Sequence, residues 1–114
     1  MTCVLIAEDN RQLAEMLRAT LEDAGFEVLT AYSGLAAVAC VEQNDVDVAV
    51  LDVLMPGISG DAVAERLRQI DPKLPVVLMT GADDAFVAAS RFPVLRKPFA
   101  HEELVELLRG LLPS

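Results

Sequence analysis

A chain of 114 residues, 54% of them hydrophobic, with 9 Lys and Arg against 18 Asp and Glu and a formal net charge of −9, has the make-up of one globular domain and is too short for two. At this length folding buries roughly two-thirds of the unfolded chain's surface, so a core forms without disulfide or metal staples. The charge leaves no basic footprint for a phosphate backbone or an anionic lipid surface, which disfavours direct nucleic-acid and membrane binding and favours cations.

The first residues, Met1 to Asp9, have no basic n-region, and their apolar run ends in two acids. We therefore expect no signal peptide, no membrane span and a cytoplasmic location. Cys3 and Cys40 are too few for a disulfide framework and are read as small buried hydrophobes in a reducing compartment.

Short runs rich in Val, Ile and Leu alternate with longer stretches of helical period, the pattern of βα units around a parallel sheet. The expected strands are Cys3–Ala7, Glu27–Ala31, Val46–Leu51, Val76–Met79 and Val94–Arg96. The first helix places Leu13, Met16, Leu17, Thr20, Leu21 and Ala24 at i, i+3, i+4, i+7 spacing, with Gly25 as its stop. The second spans Gly34 to Gln43. The third spans Asp61 to Ile70, with Val63, Leu67 and Ile70 on one stripe, and Pro72 and Pro75 close that unit. From Ala82 to Arg91 the apolar residues form a block without period, so any helix there is short or absent. The last helix carries Leu104, Val105, Leu107, Leu108, Leu111 and Leu112, with Glu102 and Glu103 in its first turn and Arg109 near its end, which matches both ends of the helix dipole. One compact α/β unit over residues 1–114 is the expectation.

In an open parallel sheet the ligand site lies beyond the carboxyl ends of the strands. Here those ends are polar: Glu8-Asp9 after the first strand, Asp52 after the third, Thr80-Gly81 after the fourth and Lys97-Pro98 after the fifth. Only the second ends blandly, at Ala31-Tyr32. Asp52 interrupts an apolar run where an unpaired carboxylate would cost several kcal/mol, so a cation belongs beside it. The alternative is an Asp that opens the turn before Met55-Pro56-Gly57. An acid before a helix serves equally as an N-cap, although Asn10 is available for that purpose. If the first and third strands are neighbours, Glu8, Asp9 and Asp52 converge, and their mutual repulsion calls for a divalent cation. Oxygen-only ligands point to magnesium, with manganese as the alternative, and to phosphoryl chemistry in which a carboxylate attacks phosphorus. Thr80 would supply a hydroxyl and Lys97 a fixed charge for phosphoryl oxygens, Pro98 turning that lysine inward most sharply if its peptide is cis. His101 is read as a solvated first-turn residue.

As an ordered set, Glu8-Asp9, Asp52 with Met55-Pro56-Gly57 after it, Thr80, and Lys97-Pro98-Phe99 resemble the receiver domain of bacterial two-component response regulators. The resemblance implies a flavodoxin-like (βα)5 fold, a doubly wound parallel sheet in the order 2-1-3-4-5. It implies that Asp52 accepts a phosphoryl group from the phosphohistidine of a sensor histidine kinase or phosphotransfer protein, or from a small phosphodonor. Asp9, Asp52 and the backbone carbonyl of Leu54 would ligate magnesium directly, and Glu8 would act through water. Lys97 would pair with phosphoryl oxygens ahead of a cis Pro98, and Thr80 would move its hydroxyl toward the phosphate and shift the conformational equilibrium.

The stretch from Thr80 to Lys97 is about five residues shorter than the resemblance implies, within the range of tolerated loop changes. Val94 stands where such domains usually carry an aromatic switch residue, which argues for an altered output face. Leu54 and Ala82 offer no side chain to orient an attacking water, so slow self-dephosphorylation is expected. An ending after the last helix implies output through contact with a downstream protein, from either a stand-alone relay or a receiver belonging to a larger kinase, and leaves homodimerisation open. Such a module is not an enzyme by class. An aspartyl-phosphate hydrolase resembles a motif with a second Asp two residues on, where this chain has Leu54. A nucleotide or flavin site would need a Gly-rich first turn in place of Glu8-Asp9-Asn10-Arg11. The remaining rival is a pseudo-receiver, the same fold used without phosphorylation as a constitutive docking surface.

Overall fold

The computed structural model describes residues 1–81 and 89–112. Chain order is β1 (Cys3–Ala7), α1 (Arg11–Asp23), β2 (Glu27–Ala31), α2 (Gly34–Gln43), β3 (Val48–Asp52), α3 (Gly60–Ile70), β4 (Val76–Thr80), β5 (Val94–Arg96) and α4 (His101–Leu111). All strand pairs are parallel, in the order β2-β1-β3-β4-β5, as expected of a flavodoxin-like sheet. The segment expected to hold a short helix falls mainly on residues 82–88, outside the described residues.

Side chains alternate across a strand, and this sorts the core into two layers. Leu5, Ala7, Ala49, Leu51, Val76 and Leu78 pack with Ala37, Val38 and Val41 of α2 and Val63, Ala64 and Leu67 of α3. Val4, Ile6, Val48, Val50, Val77 and Met79 pack with Ala14, Leu17 and Leu21 of α1 and Leu104 and Leu108 of α4. Because helices cover both faces, β1, β3 and β4 are buried at every position, which is why they read as unbroken apolar runs.

Several local expectations shift. β3 starts at Val48 rather than Val46, because the Asp47 carboxylate takes the Cys3 N–H at 2.7 Å and regular pairing begins with Val4 opposite Val48. β3 and β4 each run one residue further, taking in Asp52 and Thr80. Met16 and Ile70 are exposed rather than core; the inward stripe of α1 is Ala14, Leu17 and Leu21, one position away from Met16. Cys3 is buried and Cys40 partly so, both as free thiols.

The ends of α1 bear directly on the site. Asn10 caps it, its side-chain oxygen accepting the Leu13 N–H at 3.1 Å, and Gly25, at φ 97, closes it. Arg109 of α4 donates to the Ala24 carbonyl at 3.2 Å, tying the last helix to the end of the first. Asn10→Ala is expected to cost about 1 kcal/mol of stability, measured by urea denaturation.

Candidate functional site

Parallel register brings the site together from residues far apart in the chain. Ala7 of β1 pairs with Leu51 of β3, so the next residues, Glu8 and Asp52, stand side by side at the carboxyl edge. Glu8 is in phase with Val4 and Ile6, and Asp52 with Val48 and Val50, so both belong to the α1 and α4 side of the sheet. The Glu8 N–H bonds to the Ala31 carbonyl of β2 at 3.0 Å, which holds it at the end of the ladder. Glu8 is 1% and Asp52 5% exposed, and Asp9 is exposed beside them. Each of the three contributes a carboxylate oxygen within 4.8 Å of the others.

Lys97 follows β5, its N–H bonded to the Thr80 carbonyl at 2.8 Å and its peptide to Pro98 cis. Its ammonium donates to Asp52 Oδ2 at 2.8 Å and to Glu8 Oε1 at 3.3 Å. Backbone groups take the remaining oxygens: Leu54 N–H donates to Asp52 Oδ1 at 3.0 Å and Asn10 N–H to Glu8 Oε2 at 3.1 Å. Among the described residues no buried side-chain polar atom lacks a partner. Thr80, 2% exposed, ends β4 one residue beyond the pairing of Met79 with Asp52. Val94 opens β5 opposite Leu78 and packs, half-buried, on the α2 and α3 layer. Leu54 is 78% exposed, and Ala82 lies outside the described residues.

Two contacts near this edge were not expected. The end of β2 is not bland: the Arg11 guanidinium lies 4.2 Å from the centre of the Tyr32 ring, and the Tyr32 hydroxyl donates to Glu15 at 3.1 Å. His101, although exposed, sits 3.1 Å from the Thr20 hydroxyl and links α4 to α1. An aromatic directly after β2 and a cation at the first position of α1 were the available signals for the first contact. Nothing local marks the second.

Burial pushes the Glu8 carboxyl up to about 7, and the adjoining Asp52 carboxylate adds to the shift. Burial would raise Asp52 as well, but hydrogen bonds from Glu8, Lys97 and Leu54 N–H outweigh it and hold Asp52 below its ordinary range. For Lys97, burial is outweighed by the hydrogen bond and charge of Asp52 and by Glu8, so its pKa is raised. The outcome is one ionised, partly shielded carboxylate, a neighbour poised to ionise, and a lysine that stays charged. Three carboxylates against one ammonium leave the edge negative, and a donor set made only of oxygen suits a hard divalent cation.

A family model described as the response regulator receiver domain matches residues 4–109. The chain is 40% identical over 114 residues to a probable transcriptional regulatory protein of Mycobacterium tuberculosis, TcrX, a match covering 96% of this chain and 49% of that protein. It thus spans about half the length of the curated relatives it matches. Among solved structures, the Vibrio cholerae chemotaxis protein CheY4 superposes with a TM-score of 0.90 at 30% identity, covering 98% of this chain and 99% of that one. The Thermotoga maritima response regulator TrrA, solved in complex with Mg(2+)-BeF, gives a TM-score of 0.88 at 30% identity and covers 98% of this chain and 100% of that one.

Proposed function

Because the chain belongs to the response regulator receiver domain family of two-component signalling, we propose that residues 1–114 form one receiver in which Asp52 accepts a phosphoryl group. The observation that carries this reading is the buried Asp52 carboxylate, held at 2.8 Å by Lys97 beside Glu8 and Asp9 at the sheet's carboxyl edge. An Asp52 oxygen would attack phosphorus. A P–O bond forms to Asp52 as the P–N bond of a phosphohistidine breaks, or the P–O bond of a small acyl phosphate, and the leaving group keeps the bonding pair. Lys97, which holds Asp52 at 2.8 Å, would pair with the oxygens that gain charge. Thr80, at the end of β4, would offer its hydroxyl to the same group.

The carboxylates fit magnesium, or manganese in its place: Asp9, Asp52 and the Leu54 carbonyl would hold the ion, with Glu8 acting through water. That the similar Thermotoga protein was solved in complex with Mg(2+)-BeF supports magnesium as the ion. When bound, the ion would neutralise the carboxylates that otherwise repel an anionic phosphodonor. The partners in this reading are a sensor histidine kinase or phosphotransfer protein upstream and a downstream protein target. With Val94 in the switch position, no aromatic ring is available there to follow Thr80, and output would pass through a remodelled face.

The test is intact mass after incubation with a small acyl-phosphate donor, with and without magnesium, on wild type and Asp52→Ala. We expect a magnesium-dependent gain of one phosphoryl group that is absent from the variant. After donor removal it should be retained well beyond seconds, because exposed Leu54 orients no water. A folded wild type that gains nothing under any condition would leave the docking module as the better reading.

A further inference from the structure

The first residue of α3, Gly60, comes close to the Asp52 backbone and has no side chain. The Gly60 N–H donates to the Val53 carbonyl at 2.9 Å, so the first turn of α3 folds back onto the strand end that carries Asp52. A Cβ built on Gly60 would lie 2.3 Å from the Asp52 carbonyl oxygen, 2.8 Å from the Asp52 carbonyl carbon and 2.7 Å from Val53 Cα. All three are backbone atoms, which no rotamer change moves aside. Gly34 makes a useful contrast. There an added Cβ meets the Val63 Cγ2 tip at 2.7 Å, a side-chain contact between α2 and α3.

We propose that Gly60 is a positioning residue for the phosphoacceptor: lacking a Cβ, it lets the start of α3 press against the Asp52–Val53 peptide and fixes where Asp52 and the following loop stand. Leu54 follows Val53 directly, and its N–H holds Asp52 Oδ1 at 3.0 Å. A shift of the Val53 peptide therefore moves the carboxylate's own hydrogen-bond donor and the carbonyl offered to the metal. Outer contacts of this kind change metal affinity by about 10- to 100-fold when removed, because ligand oxygens need placing to a fraction of an ångström. The inference rests on the phosphoacceptor and magnesium reading above and assigns that site a supporting residue.

The experiment is magnesium titration by calorimetry on the full chain, in wild type, Gly60→Ala and Gly34→Ala, with thermal unfolding of each as the measure of stability. The phosphorylation rate from a small acyl phosphate is resolved into half-saturating donor concentration and maximal rate. Gly60→Ala, at a temperature where it is folded, is expected to bind magnesium about tenfold or more weakly and to lose maximal rate. Gly34→Ala should lose stability while keeping wild-type affinity. If Gly60→Ala does not fold in buffer, the titration is made in trimethylamine N-oxide, which favours the compact state, with wild type as reference. A folded Gly60→Ala with wild-type affinity overturns the proposal, as does a chain unfolded even in the osmolyte, since Gly60 would then serve the fold alone. Equal losses of affinity in both glycine variants also overturn it. A wild type that binds no magnesium overturns the metal reading beneath it, which is a distinguishable result.

Discussion

Lys97→Met is expected to slow phosphoryl gain from a small acyl phosphate by about a hundredfold or more, the usual effect of removing one preorganised donor from developing negative charge. The substitution also strips the counter-ion from two carboxylates that are 1% and 5% exposed. Breaking a fully buried pair costs about 3–5 kcal/mol. The Lys97 side chain is 31% exposed, and solvent screening reduces the expected loss to about 2 kcal/mol. The loss should depend on pH. Near pH 8 both Glu8 and Asp52 would be anions without a cationic partner, whereas near pH 6 a proton on Glu8 replaces the missing charge. Urea denaturation of wild type and variant at the two pH values should therefore show a smaller gap on the acid side. A gap equal at both would mean that the ammonium does not stabilise the pair of carboxylates.

Magnesium affinity should rise with pH, because the ion competes with the proton on Glu8. With its carboxyl pushed up to about 7, Glu8 is mostly protonated near pH 6 and mostly ionised near pH 8, so affinity should be about tenfold lower at the acid end. Without metal the sign for stability is opposite. The contribution of a group with a raised pKa is fully present below its ordinary value of 4.5 and is lost as pH rises through about 7. That loss amounts to about 3 kcal/mol for Glu8. Asp52, held below its ordinary range, contributes in the other direction: its part is present above the ordinary value and is lost as pH falls through the folded one. Glu8→Gln should flatten the magnesium profile between pH 6 and 8, measured by calorimetry. A slope unchanged in that variant would locate the competing proton elsewhere.

The fold was legible because buried parallel strands leave little choice of residue. Val4-Leu5-Ile6 and Val76-Val77-Leu78-Met79 can sit only between two helical layers, and the period of α1 selects its inward face. Boundaries slipped where a polar side chain altered the backbone pairing, as Asp47 does at the start of β3. For the site, residue type and strand-end position marked Glu8, Asp9, Asp52, Thr80 and Lys97. Which of them touch depends on register, and register is a property of the assembled sheet. The direction of Lys97 in particular could not be read locally, since a lysine at a strand end is ordinarily solvated. Gly60 was invisible for a related reason: its role lies in the backbone it approaches, and a glycine before a helix reads only as a turn residue. The Arg11–Tyr32 and Thr20–His101 contacts join separate elements and leave no periodic trace.

The three groups joined by the ion pairs stand at the carboxyl ends of the first, third and fifth strands, with Lys97 bonding across 45 residues to Asp52 and 89 residues to Glu8. The pocket is incomplete until β5 joins the sheet. A chain still emerging from the ribosome with β1 to β4 formed would present Glu8 and Asp52 to each other without their cation, the least comfortable arrangement of those carboxylates. The end of the last strand therefore supplies the charge that settles the carboxylates of the first and third. On the proposed reading, competence to receive a phosphoryl group depends on β5 having joined the sheet, and pairings of long sequence separation form late.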